Sequence, residues 1–289
     1  MKRIFLVGCP RSGTTVLQSI LASHSAVVSF PETHFFPSVV PRNRILRRLG
    51  IARWPIFTRW HAFRSTRASA RERRLRIRIR DHVQDFVRVL DQEAAAQRAT
   101  AWLEKTPRHL HFIDVIHRYI PDAIFLHLIR DGAEVATSLH RTTLEHPGEW
   151  RGSRSLKRCI RRWTEDVARS MQYRGVPSHH FVFFDELLSS PTVTVADICG
   201  QLGLEYEADM LERRADTARS LILPSERWKQ QSMEARLSAS NRLGDLSDRE
   251  RRTLAEGLEG HSLAEIKRAL RDESGVVPGE RTGAPLTAR

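Results

Sequence analysis

At 289 residues, with 47 lysines and arginines against 34 aspartates and glutamates, the chain carries a formal charge of +13 and a sequence pI of about 10.8. That length is ample for one large domain with a sizeable core, and no apolar stretch approaches the ~20 residues a membrane-spanning helix needs. The charge favours an anionic partner, a nucleotide, a nucleic acid or a membrane surface, but the excess is nearly all arginine, whose share also follows genome composition, so charge alone does not select nucleic acid. Cys9, Cys159 and Cys199 are isolated and lack metal-ligand spacing, as expected for reduced thiols in a cytoplasmic protein.

Ile4 to Val7 form an apolar run ending at Gly8, a polar turn Cys9-Pro10-Arg11-Ser12-Gly13-Thr14-Thr15 follows, and Val16, Leu17, Ile20 and Leu21 then recur at helical spacing. This pattern predicts strand, loop and helix, the arrangement in which backbone N–H groups at a helix start meet an anion. Gly8 and Gly13 have the G-x-x-x-x-G spacing of a P-loop, yet a nucleoside-triphosphate site places Lys and then Ser or Thr after the second glycine. Here Thr14 stands in the lysine position and the cation comes earlier, as Arg11. Such a loop keeps a phosphate cradle without the group that reaches β- and γ-phosphates, which suits a single 5′-phosphate. Met1-Lys2-Arg3 before this run mimics the start of a signal peptide, but the run is short and Arg11 interrupts it, so no leader is expected.

Residues 26–30 read as a short strand closed by Pro31-Glu32-Thr33-His34. Residues 42–80 are arginine-rich, with scattered Trp54, Trp60 and Phe63, and read as a partly helical insertion over the cleft. From Leu75 onward Ile79, Val83, Phe86 and Leu90 share a helical face, giving a helix to about Gln97, and the whole of 42–98 is expected to be an inserted lid. Ala101-Trp102-Leu103 predicts a strand leading into Glu104-Lys105-Thr106-Pro107, and a helix follows over 111–119. Residues 123–129 are almost continuously apolar, as buried parallel strands are, and end at Arg130-Asp131-Gly132 before a helix over 133–141. Leu156, Ile160, Trp163, Val167 and Met171 mark another amphipathic helix. A strand over 180–184 precedes Asp185-Glu186-Leu187-Leu188 and a helix opening near Pro191. The C-terminal third reads as helical and charged, and 274–289 as a disordered tail. The alternation predicts an α/β fold, a P-loop-like, doubly wound, mainly parallel sheet flanked by helices, in one domain over 1–273.

Parallel α/β sheets bind ligands beyond the C-terminal ends of their strands. Four such ends carry polar clusters: Arg11 to Thr15, Glu32, Lys105, and Arg130 with Ser138. Each has an ordinary structural reading alone, as a surface loop, a turn, a solvated charge or a helix start. Their recurrence at successive strand ends points to one site.

These residues resemble the sulfotransferases that use 3′-phosphoadenosine 5′-phosphosulfate (PAPS). Pro10-Arg11-Ser12-Gly13-Thr14-Thr15 is similar to that family's 5′-phosphosulfate loop. The apolar strand from Phe125 into Arg130-Asp131, with Ser138 eight residues after the arginine, is similar to its 3′-phosphate motif. Phe184-Asp185-Glu186-Leu187 with Pro191 resembles a third element, and the match runs to about Gly203. Glu32-Thr33 and the Lys105-Thr106-Pro107 run look closest to the branch containing tyrosylprotein sulfotransferases and many bacterial enzymes.

The resemblance implies PAPS as co-substrate, held by Arg11, Ser12, Gly13, Thr14, Thr15, Arg130, Ser138 and, by a loose alignment, Arg242. It implies Glu32 as general base, with Lys105 and Arg11 answering the charge of the transferred group; no metal is implied. A tyrosine usually stands where Phe184 is, so that hydrogen bond is missing. His34, His109 and His111 are rivals for the base, because cytosolic small-molecule sulfotransferases use a histidine. The partners expected are PAPS and a hydroxyl-bearing acceptor, whether sugar, lipid, phenol, tyrosine or small alcohol. Neither nucleic acid nor a transmembrane segment is expected, and peripheral membrane contact is left open. The alternatives are a P-loop kinase or NTPase, opposed by Thr14, and a nucleic-acid-binding protein, which lacks any recognised binding motif.

Overall fold

Alternation along the first strand divides its side chains between two hydrophobic cores. In a computed structural model that describes residues 1–53, 77–223, 243–244 and 246–272, Phe5 and Val7 of β1 (Lys2–Gly8) enter one cluster and Ile4 and Leu6 the other. β1 lies mid-sheet, in the order β2 (Val27–Ser29), β3 (Ala101–Lys105), β1, β4 (Ala123–Ile129), β5 (His179–Phe183). All four pairings are parallel, as expected of a doubly wound α/β sheet. Pairing of Leu6 with Lys105 and of Gly8 with Leu128 brings the ends of β3 and β4 level with the loop after β1. That loop therefore sits where the strand order reverses, the crevice such sheets use for ligands.

α1 (Thr14–Leu21) covers one face with Leu17, Ile20 and Leu21. Beyond β2, the short helices α2 (Phe35–Val39) and α3 (Arg44–Arg48) lead to a bridge between Ile51 and Arg78 and then to α4 (Ile79–Ala96). Val83, Phe86 and Leu90 of α4 are fully buried against the sheet. Within the span 42–98 expected as a lid, this helix is thus the core crossover from β2 to β3. Trp54, Trp60, Phe63 and the rest of 54–76 lie outside the described residues, as do Arg242 and the tail 274–289.

The helix expected over 111–119 divides into a 3-10 turn (Pro107–Phe112), opened by a proline at the position where its missing N–H costs nothing, and α5 (Ile113–Tyr119). α6 (Gly132–Glu145), capped by Asp131 accepting from the Glu134 N–H at 3.0 Å, runs four residues past its expected end. A single turn, α7 (Pro147–Trp150), and the amphipathic α8 (Leu156–Met171) follow. Phe184, expected to close β5, instead begins α9 (Phe184–Ser189), which leads into α10 (Pro191–Gln201) and α11 (Met210–Leu221). α12 (Asp248–Gly257) and α13 (Leu263–Arg271) each open with a serine–glutamate capping box. No helix among the described residues is long and apolar enough to cross a membrane.

One polar seam runs through this interior. His127 Nε2 lies 2.7 Å from His179 Nδ1, and His179 Nε2 lies 2.7 Å from His117 Nε2, with the His179 ring stacked on Tyr173 and Phe125. A bond between two ring nitrogens needs one protonated and one bare, so the chain of rings is built for neutral imidazoles. Burial holds His127 well below the ordinary histidine range; burial, with the charges of His117 and His180 behind it, pushes His179 to about 3. At neutral pH His179 is uncharged both folded and unfolded. As pH falls below about 6.5, the unfolded chain takes up a proton the folded ring refuses, and stability is lost until about pH 3. Denaturant unfolding across that window should therefore show falling stability, and His179→Phe should have a shallower slope. An unchanged slope would show that the seam does not set acid sensitivity.

Candidate active site

The loop between β1 and α1 is shaped by two close approaches. A Cβ on Gly8 would fall 2.6 Å from the Leu128 carbonyl oxygen, and one on Gly13, whose φ is 96°, would fall 2.2 Å from the Phe184 ring. The Ser12 N–H donates to the Cys9 carbonyl at 3.2 Å and closes the turn, and Arg11 adopts a φ of 76° that side chains other than glycine's rarely take. No side chain caps α1, so the N–H groups of its first turn point into the loop with the positive end of the helix. The Ser12 hydroxyl is 1% exposed and has no hydrogen-bond partner among the described residues. A buried, unanswered hydroxyl beside free helix-start donors and an arginine fits a phosphate group. Cys9 is buried, and burial foremost, with Asp166 beside it, pushes its thiol well up, which removes it as a nucleophile.

β4 delivers the second cation. The Arg130 guanidinium lies 4.6 Å over the Phe184 ring, and its Nε donates to Glu134 Oε2 at 2.6 Å. Its carbonyl accepts from the Trp163 indole at 3.0 Å, fixing the strand end. Ser138, two turns into α6, accepts from Arg11 Nε at 3.2 Å. The two arginine motifs, far apart in sequence, thus meet through Ser138 on one side and through Phe184, packed between Gly13 and Arg130, on the other. From the sequence Phe184 closed a strand, opened the third family-like element and lacked a tyrosine's hydroxyl; its ring is also the floor shared by both motifs.

β3 delivers the third. Lys105 is 2% exposed, and its Nζ donates to Glu32 Oε1 at 2.6 Å and to Thr15 Oγ1 at 3.3 Å. The other carboxylate oxygen of Glu32 lies 3.4 Å from His34 Nε2, and His34 holds a left-handed backbone conformation. Glu32 and His34 are therefore one unit. His109 is fully buried away from this pair, its Nε2 accepting from the Phe36 N–H at 3.4 Å and its Nδ1 set 2.7 Å from Glu104, off the line of a hydrogen bond. His111 pairs with Asp166 at 2.7 Å. Of the three histidines considered as bases, the structure brings only His34 to Glu32.

Glu104 was not singled out from the sequence. It is 1% exposed, and its Oε1 accepts from the Thr106 hydroxyl at 2.7 Å, the Thr33 hydroxyl at 2.8 Å and the Thr33 N–H at 3.3 Å. The Thr106 hydroxyl in turn accepts from the His34 N–H at 3.3 Å. Burial works against the Glu104 charge, but His109 and these hydroxyls outweigh it and hold the carboxyl below its usual range. This side chain ties the end of β3 to the segment carrying Glu32. The one signal in the sequence was an acid flanked by apolar strand residues and followed by Lys105 and Thr106.

A sequence model described as the Sulfotransferase family matches residues 3–208. Among curated proteins, an uncharacterized protein of Aquifex aeolicus (strain VF5) is 30% identical over 140 residues, a match that covers 47% of this chain and only 16% of that relative's length. Among solved structures, the sulfotransferase domain from the Synechococcus PCC 7002 olefin synthase superposes with a TM-score of 0.51 at 18% identity, covering 96% of each chain. Mouse sulfotransferase SULT7A1, complexed with PAP, superposes with a TM-score of 0.56 at 12% identity, covering 94% of this chain and 88% of that one. At such identities the likeness is one of fold.

The Glu104 network yields a stability test. Glu104→Ala leaves two buried hydroxyls without their acceptor and removes the carboxylate beside the buried His109 ring, and should cost about 3–5 kcal/mol, as breaking a buried charged network does. Glu104→Gln retains the shape and should cost about 1–3 kcal/mol. Urea unfolding at neutral pH measures both, and a loss below 0.5 kcal/mol in each (~ the level of an ordinary surface change) would remove Glu104 from this role.

Proposed function

The chain belongs to the sulfotransferase family, and from that premise we propose that it moves the sulfuryl group of PAPS to an acceptor hydroxyl, with Glu32 as the general base. The observation that carries this reading is the buried contact of Lys105 with both Glu32 and Thr15, which sets a base and a cation side by side at the mouth of the phosphate loop.

Arg11, Ser12, Gly13, Thr14 and Thr15 hold the 5′-phosphosulfate, through loop N–H groups, the unanswered Ser12 hydroxyl and the Arg11 fork. Arg130 and Ser138 grip the 3′-phosphate, the group that separates PAPS from an ordinary adenine nucleotide. Arg242 is a further candidate for holding the cofactor. Glu32 takes the proton of the acceptor hydroxyl as its oxygen bonds to sulfur. The bond from sulfur to the bridging phosphate oxygen breaks in line, and its electron pair stays on that oxygen, giving the 3′,5′-bisphosphate PAP. Lys105 answers the charge that builds there, an electrostatic contribution among the largest available to enzymes. His34 steadies the second oxygen of Glu32.

Three expectations follow from these roles. Arg11→Ala and Arg130→Ala each lose a charge-assisted contact worth ~1.5–3 kcal/mol, so PAP binding measured by calorimetry without Mg²⁺ should weaken ~10- to 100-fold with the fold intact. Undiminished affinity in both would sink the assignment. Lys105→Ala should lose turnover far more than cofactor affinity, since its charge matters most in the transition state; a variant that merely raises the PAPS KM makes Lys105 a binding residue. Glu32→Gln should bind PAP normally and lose ~10²-fold or more in labelled-sulfate transfer from PAPS to cell extract. His34→Ala should lose much less, and the reverse ranking would make the histidine the base.

A further inference from the structure

The net charge of the chain is not spread along it. Residues 42–80 hold 14 of its 47 basic residues, all arginine, and one of its 34 acids, Glu72, so the remainder balances at 33 of each. The formal charge of +13 therefore belongs to one stretch, which contains none of the residues assigned to the reaction. Its described parts, 42–53 and 77–80, contribute seven arginines and no acid. Arg42, Arg44, Arg48, Arg53, Arg78 and Arg80 are exposed. Among the described residues, Arg47 is the one of the seven that pairs with an acid, Asp114.

Backbone bonds join these two parts into one face. Asn43 caps α3, its Oδ1 accepting from the Ile45 and Leu46 N–H groups at 2.9 and 3.2 Å. Ile51 and Arg78 form an antiparallel bridge, flanked by bonds of 2.7 Å from the Ala52 N–H to the Ile77 carbonyl and from the Ile79 N–H to the Gly50 carbonyl. Arg47, paired with Asp114 and 6.0 Å over the Phe112 ring, pins α3 to the start of α5. What this frame turns outward is apolar. Ile45 is 69% exposed, Leu49, one helical turn on, 66%, and Ile77, beside the bridge, 59%, with Leu46 exposed as well. These are four of the eight large hydrophobic side chains exposed among the described residues, and the arginines stand among them. Exposed apolar groups gathered in one place and rimmed by charge mark an interaction surface.

We propose that this face docks on an anionic lipid bilayer. Ile45, Leu46, Leu49 and Ile77 enter the boundary between headgroups and acyl chains, and the arginines meet the lipid phosphates and carboxylates. Cations interleaved with exposed aliphatic side chains are what peripheral attachment to such a surface requires. Arginine suits both layers, since its stem lies along apolar surface while its guanidinium stays with the anions. A polynucleotide would answer the charge and leave the aliphatic groups in water. A second copy of the same face would cover those groups and add like charge. The chain's own residues 54–76, with seven arginines to one acid, have the same wrong sign. An anionic membrane answers both features at once, and the proposal stands apart from the reaction proposed above.

The test is co-sedimentation of the full chain with vesicles of phosphatidylcholine alone and of phosphatidylcholine and phosphatidylserine in equal parts, at physiological salt. The mixed vesicles should bind at least ~10-fold more tightly than the neutral ones. The double variant Arg44→Gln, Arg48→Gln should lose about 10-fold of that binding, and Ile45→Ser, Leu49→Ser about 10- to 100-fold. All four side chains are exposed, so urea unfolding of both variants should match the wild type. Absence of vesicle binding, equal binding to both vesicles, or a serine variant that binds as well as the wild type overturns the proposal. So does tighter binding of polyuridylate or duplex DNA than of the mixed vesicles, which assigns the face to nucleic acid. A dimer in sedimentation equilibrium that the serine variant dissolves assigns the face to a second copy and overturns the proposal as well.

Discussion

An ammonium group buried at the end of a strand cannot stand alone, and the site is arranged around that constraint. Lys105 is 2% exposed, and taking its charge out of water costs several kcal/mol unless a partner is held in good geometry. Glu32 is that partner at 2.6 Å. To supply it, the chain leaving β2 must return to the end of β3, and Glu104 draws it there through Thr33 and Thr106. Glu104 and Lys105 are neighbours in one strand, so their side chains leave on opposite faces. One faces His109 and the core that holds Phe5 and Trp102; the other faces α1. Two adjacent opposite charges are thus buried without neutralising each other, and each organises a different part of the site.

The phosphate loop shows the same economy of placement. Gly8 and Gly13 are required by contact with Leu128 and Phe184, so β4 and the start of α9 press on the loop from both sides. Phe184 then carries Arg130 on its other side, so the elements after β1, β4 and β5 share one aromatic ring. Arg11 and His34 are two of four non-glycine residues with positive φ among the described residues. Such conformations cost ~1–3 kcal/mol each and persist where surrounding structure over-determines them. Here Arg11 is held through Ser138, and His34 through Thr106 and Glu32.

What the sequence made legible was what local pattern dictates. The apolar run over 123–129, the glycine spacing from Gly8 to Gly13 and the helical face of α8 depend on nearby residues alone, and all three were readable. The meeting of Arg11 with Ser138 followed from the rule that strand ends converge. Register was not legible, because it is settled by tertiary pairing. Resemblance singled out Lys105, but without the pairing of Leu6 with Lys105 nothing in the local pattern gave its neighbour Glu104 a place, and Glu104 passed for an unremarkable acid. The histidines were ambiguous for the same reason, since His34, His109 and His111 all lie near strand ends in sequence. Only packing sends His109 into the core and His111 to Asp166. Helix α4 was legible from the spacing of Ile79, Val83, Phe86 and Leu90, whereas its burial against the sheet is settled by tertiary packing.

A carboxylate held by a cation is a poor base at first sight, since the neighbouring charge that keeps it ionised also makes it reluctant to accept a proton. The geometry around Lys105 resolves this on the proposed reading. Its ammonium has three protons and no acceptor role, and the contacts to Glu32 and Thr15 aim it along the line from the base to the phosphate loop. Before transfer, that charge stabilises the ionised Glu32. As the bond from sulfur to the phosphate oxygen lengthens, negative charge grows on the far side and competes for the same protons. The cation's hold on Glu32 weakens in step, and the affinity of the carboxylate for the acceptor proton rises when the acceptor oxygen must release it. On that reading base strength is coupled to leaving-group departure through one side chain, and a histidine as base, neutral before and cationic after, would oppose Lys105 where a carboxylate works with it.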